Sequence, residues 1–289
     1  MVLFRVCASV RDSALRSYLR MPQHPMKNRF VKLLGDYIFP GVGVWSEVMP
    51  GIELCLHPRA WIEFLLLQGD GYEPQTLKFL AANLTSADCA ILAGVNFGLH
   101  AAVAAKAVGD KGRIVGIEPQ PAALLRANAN LSRNGLSARV DLVAVALSQE
   151  NAFVPFAWSC AANPGAASLF DSGSGFKIQT TTLDAVIAAL CQRAPKLLLL
   201  DIQGYELQAL RGLSPANAPD VIIVEIDPTF LDLARVSVGQ VYDGLKNLGY
   251  SLHTLAGTPV DAVDTDLPER NVVGTRGENR VQWIAMADA

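Results

Sequence analysis

Residues Ile91 to Glu118 read ILAGVNFGLHAAVAAKAVGDKGRIVGIE, and this stretch decides the fold. The apolar run Cys89-Ala90-Ile91-Leu92-Ala93 suits a buried strand. Gly94, Asn96 and Gly98 follow closely, and the alanine-rich segment from about Leu99 to Ala107 predicts a helix. Asp110-Lys111-Gly112 makes a turn, and a second apolar strand, Arg113 to Ile117, ends on the acid Glu118. Strand, glycine turn, helix, strand and terminal carboxylate form a βαβ unit of the nucleotide-binding type. Glycines let the backbone approach a ligand, and the helix N-terminus offers free N–H groups and the positive end of a dipole. The carboxylate can accept hydrogen bonds from ribose hydroxyls.

Outward from this unit, the chain has 289 residues, 51% of them apolar, ample for one large domain carrying an N-terminal extension. The net charge is −3 and the pI about 5.8, so bulk electrostatics give no reason to expect nucleic acid. Five cysteines are scattered and never in CxxC spacing, which argues against a zinc site or a disulfide framework. No apolar run approaches the roughly 18 residues of a membrane span, and no signal peptide is read. A cytoplasmic location is expected.

Residues 1 to 70 read as an extension or substrate cap, and residues 71–289 as the nucleotide-binding domain. The extension opens with seven Lys/Arg against two acids up to about residue 38, and Leu15, Leu19, Phe30, Leu33 and Leu34 permit short helices there. Tyr37 to Leu67 has the texture of short β-like runs, with Ile52, Leu54 and Leu56 alternating. Beyond the central unit the pattern predicts helices over Gln75–Asn83, Pro121–Asn134, Thr182–Cys191, Tyr205–Gly212 and Gly239–Leu248. Strands are expected over Val140–Leu147, Lys196–Asp201, Val221–Ile226, Tyr250–Leu255 and Arg280–Ala287. Residues 148 to 180 are irregular and fit a lid, a substrate loop or an inserted hairpin. Only a polar loop, 256–279, separates the last two strands, so they are expected to pair antiparallel at the sheet edge.

That ending bears on the ligand. A dinucleotide dehydrogenase wants GxGxxG, whereas here the middle position is Asn96, whose side chain would crowd a pyrophosphate. Glu118 lies 20 residues past Gly98, a spacing suited to a ribose contact with either cofactor. The missing glycine and the antiparallel ending favour S-adenosylmethionine over NAD.

At this point the sequence resembles the FkbM-type methyltransferases, within the S-adenosylmethionine-dependent class I fold. The resemblance is carried, in order, by Gly51-Ile-Glu-Leu-Cys-Leu-His-Pro-Arg-Ala-Trp61, Gly71-Tyr-Glu-Pro74, Gly94-Val-Asn96-Phe-Gly98 and Glu118-Pro119. Asn134-Gly135, Ala146-Leu147-Ser148, Thr182-Leu183-Asp184, Asp201-Ile-Gln-Gly204-Tyr-Glu206 and Val224-Glu225-Ile226 complete it, over about residues 51–230. It implies a seven-stranded, mostly parallel sheet with an antiparallel last strand, and S-adenosylmethionine as cofactor. It also implies an acceptor hydroxyl on a small molecule or glycan, sugar or polyketide-like. Two positions depart from the family pattern. Leu92 stands where DxGANxG has its acid, and Gln203 replaces the Glu of the D-x-E-G turn.

The candidate cofactor residues are Gly94, Asn96, Gly98, Glu118 and Asp201, with Ala146 and Leu147 either flanking adenine or filling ordinary core. Asp201, Glu206 and His100 form the short list for a general base, each with a plainer alternative: a helix cap for the two acids, packing for the histidine. Glu225, an acid inside an apolar strand, needs a buried partner, and a structural hydrogen bond is the favoured reading. His57 is a further, weaker base candidate. No spacing of His and acids suits a metal, and Ser148 and Ser168 lack the context of a nucleophile. Leu92 and Gln203 leave open a binding or scaffold protein that kept the fold with weakened activity, and an NAD-dependent oxidoreductase is a more distant alternative.

Overall fold

A computed structural model of the chain describes residues 17–18, 43–58, 60–69, 71–156, 176–260, 270–277 and 281–285. They belong to two compact units, one reaching Tyr72 and one starting at Glu73. The helices expected around Leu15, Leu19, Phe30, Leu33 and Leu34 lie outside the described residues, as do Trp158, Ser168 and Phe170.

In the first unit β1 (Val44–Met49) and β2 (Ile52–Leu56) form an antiparallel hairpin, and the alternation of Ile52, Leu54 and Leu56 buries one face. The β-like reading fails after that. Trp61–Gln68 is a helix, α1, closed by Gly69 in the left-handed conformation. Eight residues without a turn former, ending on a glycine, favour a helix over a strand. Glu63, buried on α1, accepts the backbone N–H of His57 at 2.6 Å and so ties the helix to the end of the hairpin.

The second unit runs α2 (Pro74–Asn83), β3 (Cys89–Ala93), α3 (Leu99–Val108), β4 (Arg113–Ile117), α4 (Pro121–Arg133), β5 (Val140–Val143), β6 (Ala146–Leu147), β7 (Phe153–Pro155) and β8 (Lys177–Thr181). It continues with α5 (Leu183–Leu190), β9 (Leu197–Leu200), α6 (Glu206–Arg211), β10 (Val221–Glu225), α7 (Pro228–Leu233), α8 (Val238–Asn247), β11 (Ser251–His253) and β12 (Asn271–Thr275). Seven strands form one sheet in the order β11-β12-β10-β9-β3-β4-β5. The pairs among β10, β9, β3, β4 and β5 are parallel, and β12 runs antiparallel to both its neighbours. This is the class I methyltransferase arrangement that the resemblance implies.

Helix boundaries follow local chemistry. Thr182 caps α5 through Ala185 N–H, Asp227 caps α7 through Thr229 N–H, and Ser237 with Gln240 forms a capping box on α8. The strands β3 and β9, and β10 up to Glu225, are apolar because helices cover both faces, as parallel sheets require.

Three sequence expectations need correction. The closing strand is Asn271–Thr275, inside the supposed polar loop, whereas residues 281–285 are not a strand. Val281 and Trp283 alternate like strand residues, but the backbone N–H of Gln282 is taken by Asn83 Oδ1 at 2.8 Å, and Trp283 packs on His253. The last two strands nevertheless pair antiparallel at one edge of the sheet as expected, with β12 lying between β10 and β11. Val140–Leu147 divides in two, since Ala146-Leu147 leaves the large sheet to pair in parallel with β8. Helix α7 carries no apolar period in the sequence and exists through its Asp227-Pro228 start. Within the irregular 148–180 segment, β7 and β8 form an antiparallel pair, the inserted-hairpin alternative, and residues 157–175 lie outside the described residues.

Candidate active site

β3 and β9 are adjacent and parallel, yet the chain leaves β3 toward β4 on one side and leaves β9 toward β10 on the other. A doubly wound sheet opens a crevice at such a reversal, outside the carboxyl ends of its strands. The register aligns Ala93 with Leu200 and with Ile117, so the loops after β3, β4 and β9 emerge together.

The loop after β3 is held from three sides. Gly94 and Val95 donate their N–H groups to Ile117 O at 2.9 and 3.2 Å. Asn96 adopts φ 51°, a left-handed conformation that asparagine tolerates better than most residues, and Gly98 takes φ 96° before α3. Asn130 of α4 donates its side-chain amide to Phe97 O at 2.7 Å, and Arg126 lies over the Phe97 ring. Gly94 is required by contact as well as by φ. A Cβ there would stand 1.8 Å from Asp201 O, so the loops after β3 and β9 touch at backbone level.

Glu118 ends β4 with both carboxylate oxygens engaged. Oε2 accepts Asn96 N–H and Oε1 accepts Gln120 N–H, each at 3.0 Å. Burial pushes its pKa up, and the two backbone N–H groups pull it partly back. Each oxygen keeps a second lone pair for a ligand hydroxyl.

At the ends of β9 and β10, the carboxyls of Asp201 and Glu225 are hydrogen-bonded to each other. Burial drives both pKa values up. For Asp201 the charge of Glu225, their hydrogen bond, and the charges of Glu73 and Glu206 add in the same direction. Like charges this close in a desolvated site disfavour double ionisation, so the pair as a whole holds a proton more readily than either carboxyl would alone. The structural hydrogen bond expected of Glu225 is thereby found, and its partner is a candidate site residue.

Glu206 accepts the N–H groups of Ile202 at 3.0 Å and Gly204 at 2.9 Å, which binds the turn containing Gln203 at φ 52°. It is buried, and burial pushes its pKa up to about 7. His100, in the first turn of α3, is 7% exposed, and its Nε2 lies 3.3 Å from Glu73 Oε2. Glu73 is the residue that the sequence reading passed over. It precedes α2 at φ 45°, and only its strained backbone and its electrostatic effect on Asp201 and Glu225 expose it. Leu147 is built into the main core cluster with Ile91, Ala93 and Leu183, and Ala146 is buried beside it in β6. Leu92 is buried in β3, beside Gly116 and Leu199. Among the described residues no group of His, Cys, Asp and Glu is arranged to hold a metal, and no helix is long and apolar enough to cross a membrane.

A reversed strand set beside β10 separates this sheet from the all-parallel dinucleotide folds, and the protein is a class I methyltransferase by fold. Residues 93–252, more than half of the chain, match the family model described as the methyltransferase FkbM domain. The chain belongs to that family, which makes it a methyltransferase and sets aside the oxidoreductase alternative. No curated protein matches the chain. Among solved structures it is similar to an S-adenosylmethionine-dependent O-methyltransferase from Thermotoga maritima, at 15% identity over 73% of this chain and 68% of that one, with a TM-score of 0.41. A precorrin-6y C5,15-methyltransferase from Geobacter metallireducens matches at 12% identity over 72% and 89% of the two chains, TM-score 0.42. The O-methyltransferase TomG from Streptomyces achromogenes, involved in tomaymycin synthesis and solved with S-adenosylmethionine, matches at 15% over 71% and 81%, TM-score 0.40.

Proposed function

We propose that the protein transfers a methyl group from S-adenosylmethionine to a hydroxyl oxygen of a small molecule or glycan, sugar or polyketide-like. The observation that carries this reading is Glu118, a buried carboxylate that closes the Gly94–Gly98 loop and keeps one lone pair on each oxygen. The donor set fits the cofactor: a carboxylate for a ribose diol, a glycine-asparagine loop for close backbone approach, and carboxyls beyond it for a cationic amino-acid end.

When bound, S-adenosylmethionine supplies an electrophilic methyl on a sulfonium that is its own leaving group. The chain's task is then alignment and proton handling. Gly94, Asn96 and Gly98 set the backbone against the ligand, and Glu118 orients the ribose, while Leu147 fills the core beneath the site. Alignment of this kind contributes on the order of 7–11 kcal/mol, and a general base a further factor of about 10²–10⁴. Of the base candidates, Glu206 accepts one backbone N–H on each oxygen and braces the 202–204 turn. Asp201 is hydrogen-bonded to Glu225, so the pair, rather than Asp201 alone, accepts a hydroxyl proton. His100 is the second route, with Glu73 beside it to stabilise the imidazolium.

Isothermal titration with S-adenosylmethionine and with NAD tests the cofactor. Saturable binding of the first alone is expected. No binding of S-adenosylmethionine at millimolar concentration would overturn the reading and leave the scaffold alternative. Transfer of labelled methyl to a panel of sugars, glycans and phenolic polyketides then identifies the acceptor.

A further inference from the structure

Scattered as they are along the chain, two of the five cysteines meet in space. Cys89 opens β3, at the end of the strand remote from the Gly94 loop, and is buried. Cys191 is the C-cap of α5, half-buried and packed against the main core cluster. Residues 191–196 connect α5 to β9, and the last of them, Lys196, donates its N–H to Cys89 O at 2.7 Å. The next residue, Leu197, pairs in parallel with Ala90, so the connection closes on the first residue of β3. The side chains complete this approach: both are free thiols, and they are hydrogen-bonded to each other.

Neither thiol has a part in the candidate active site, and their surroundings make them unequal. The S–H of Cys191, with the guanidinium groups of Arg193 and Arg113, holds the Cys89 thiol below its ordinary value against burial and the charge of Asp141. The Cys191 thiol is pushed up, chiefly by its hydrogen bond to Cys89, with burial and the charges of Cys89 and Asp141 adding to it. A thiolate-forming sulfur with a second thiol in hydrogen-bond contact is the arrangement in which an oxidised first sulfur is captured by the second.

We infer that Cys89 and Cys191 form an oxidisable dithiol, which hydrogen peroxide closes to a disulfide that braces β3 against the end of α5. The Cys89 thiolate attacks one peroxide oxygen, the O–O bond breaks, and the departing hydroxide takes up a proton to leave as water. Cys89 is then a sulfenic acid, and the hydrogen bond and charge that held the Cys191 proton are gone. The Cys191 sulfur displaces the sulfenic hydroxyl, which leaves with the Cys191 proton as a second water, and the S–S bond forms. Two thiols are oxidised and one hydrogen peroxide is reduced to two waters. The closed loop contains Gly94 and Glu118, and the bond touches neither, because it sits at the opposite end of β3.

The test treats the full wild-type chain with hydrogen peroxide at neutral pH and maps its tryptic peptides by mass spectrometry without reduction. Trypsin leaves Cys89 in residues 79–106 and Cys191 in residues 178–193, each as the single cysteine of its peptide. Expected is a joined pair of these peptides, lighter than their sum by two hydrogen atoms, absent before oxidation and released by dithiothreitol. Thermal unfolding followed by circular dichroism should place the oxidised chain above the reduced one by on the order of 5–10 °C, since the bond closes a loop of about a hundred residues. Cys191→Ser should give neither the joined pair nor the gain, and should leave a Cys89 sulfenic acid that dimedone labels. Cys89→Ala should likewise give neither. Wild-type peptides that stay unjoined after oxidation, or a joined pair without any gain in melting temperature, overturn the proposal, and both results leave the cofactor reading untouched.

Discussion

Glu118 is the residue on which loop architecture and ligand binding meet, and removing it separates the two. In Glu118→Ala the N–H groups of Asn96 and Gln120 lose the acceptors that stand at 3.0 Å. An orphaned buried donor costs about 1–3 kcal/mol, so two amount to several. Water entering the emptied space and the removal of a desolvated charge offset part of that, leaving a net loss of about 1–3 kcal/mol. Urea unfolding followed by circular dichroism measures it. Ligand binding should suffer beyond the loss of stability, because hydrogen bonds from a ribose to a carboxylate are worth about 1.5–3 kcal/mol, or roughly 10–150-fold in Kd. Isothermal titration with S-adenosylhomocysteine on the folded variant reads that directly. Glu118→Gln keeps the volume and one acceptor, so it should lose less stability yet still bind weakly. A Glu118→Ala variant that folds and binds S-adenosylhomocysteine within about twofold of wild type would falsify the ribose assignment, leaving Glu118 as a loop brace only.

Other perturbations probe the surrounding frame. Gly94→Ala must accommodate a left-handed φ of 89° and a Cβ 1.8 Å from Asp201 O. It is expected to cost about 1–2 kcal/mol for the backbone and about 1–3 more for moving the loop, lowering the urea midpoint and weakening S-adenosylhomocysteine. An unchanged midpoint would contradict the close approach of the two loops. Glu206 gives a pH dependence of definite sign. Its pKa in the folded protein is raised to about 7, so the folded state holds a proton that the unfolded chain releases from pH 4.5 upward. Its contribution is therefore fully present below the unfolded value and is lost as pH rises through 7, by on the order of 3 kcal/mol. Wild-type stability should fall from pH 5 to pH 8 more steeply than that of Glu206→Gln, and parallel curves would refute the burial argument. Asp184 accepts Ser214 N–H, Ser214 Oγ–H and the Asn217 side-chain amide. Asp184→Ala should lose about 1–3 kcal/mol of stability while S-adenosylhomocysteine affinity stays within about twofold, and a large affinity loss would mean that this bracket reaches the site.

The elements that the chain announced by itself are those whose residues serve only their own strand or turn. Cys89–Ala93 and Ile114–Ile117 are continuous apolar runs, and Gly94-Val-Asn-Phe-Gly98 is a loop whose residue types match its left-handed angles at Gly94, Asn96 and Gly98. Local sterics and hydrophobic run length act over a few residues, so they are readable without a fold. Glu118 was legible for the same reason, as an acid standing where an apolar strand stops.

Tertiary structure decided what depends on contact between distant segments. Asn271–Thr275 is a strand because β10 and β11 leave a slot between them, and 281–285 is not, because Asn83, about two hundred positions earlier, takes its backbone N–H. Glu206 looked free to serve as a base until the turn of residues 202–204 set an N–H against each of its oxygens. Glu225 looked structural, and its partner proved to be Asp201. Glu73 stood in the Gly71-Tyr-Glu-Pro74 segment only as the entry to a helix, and the packing of α2 on α3 sets it against His100. Charge in a desolvated crevice is a collective property of groups brought together from several loops, so no local stretch of sequence records it.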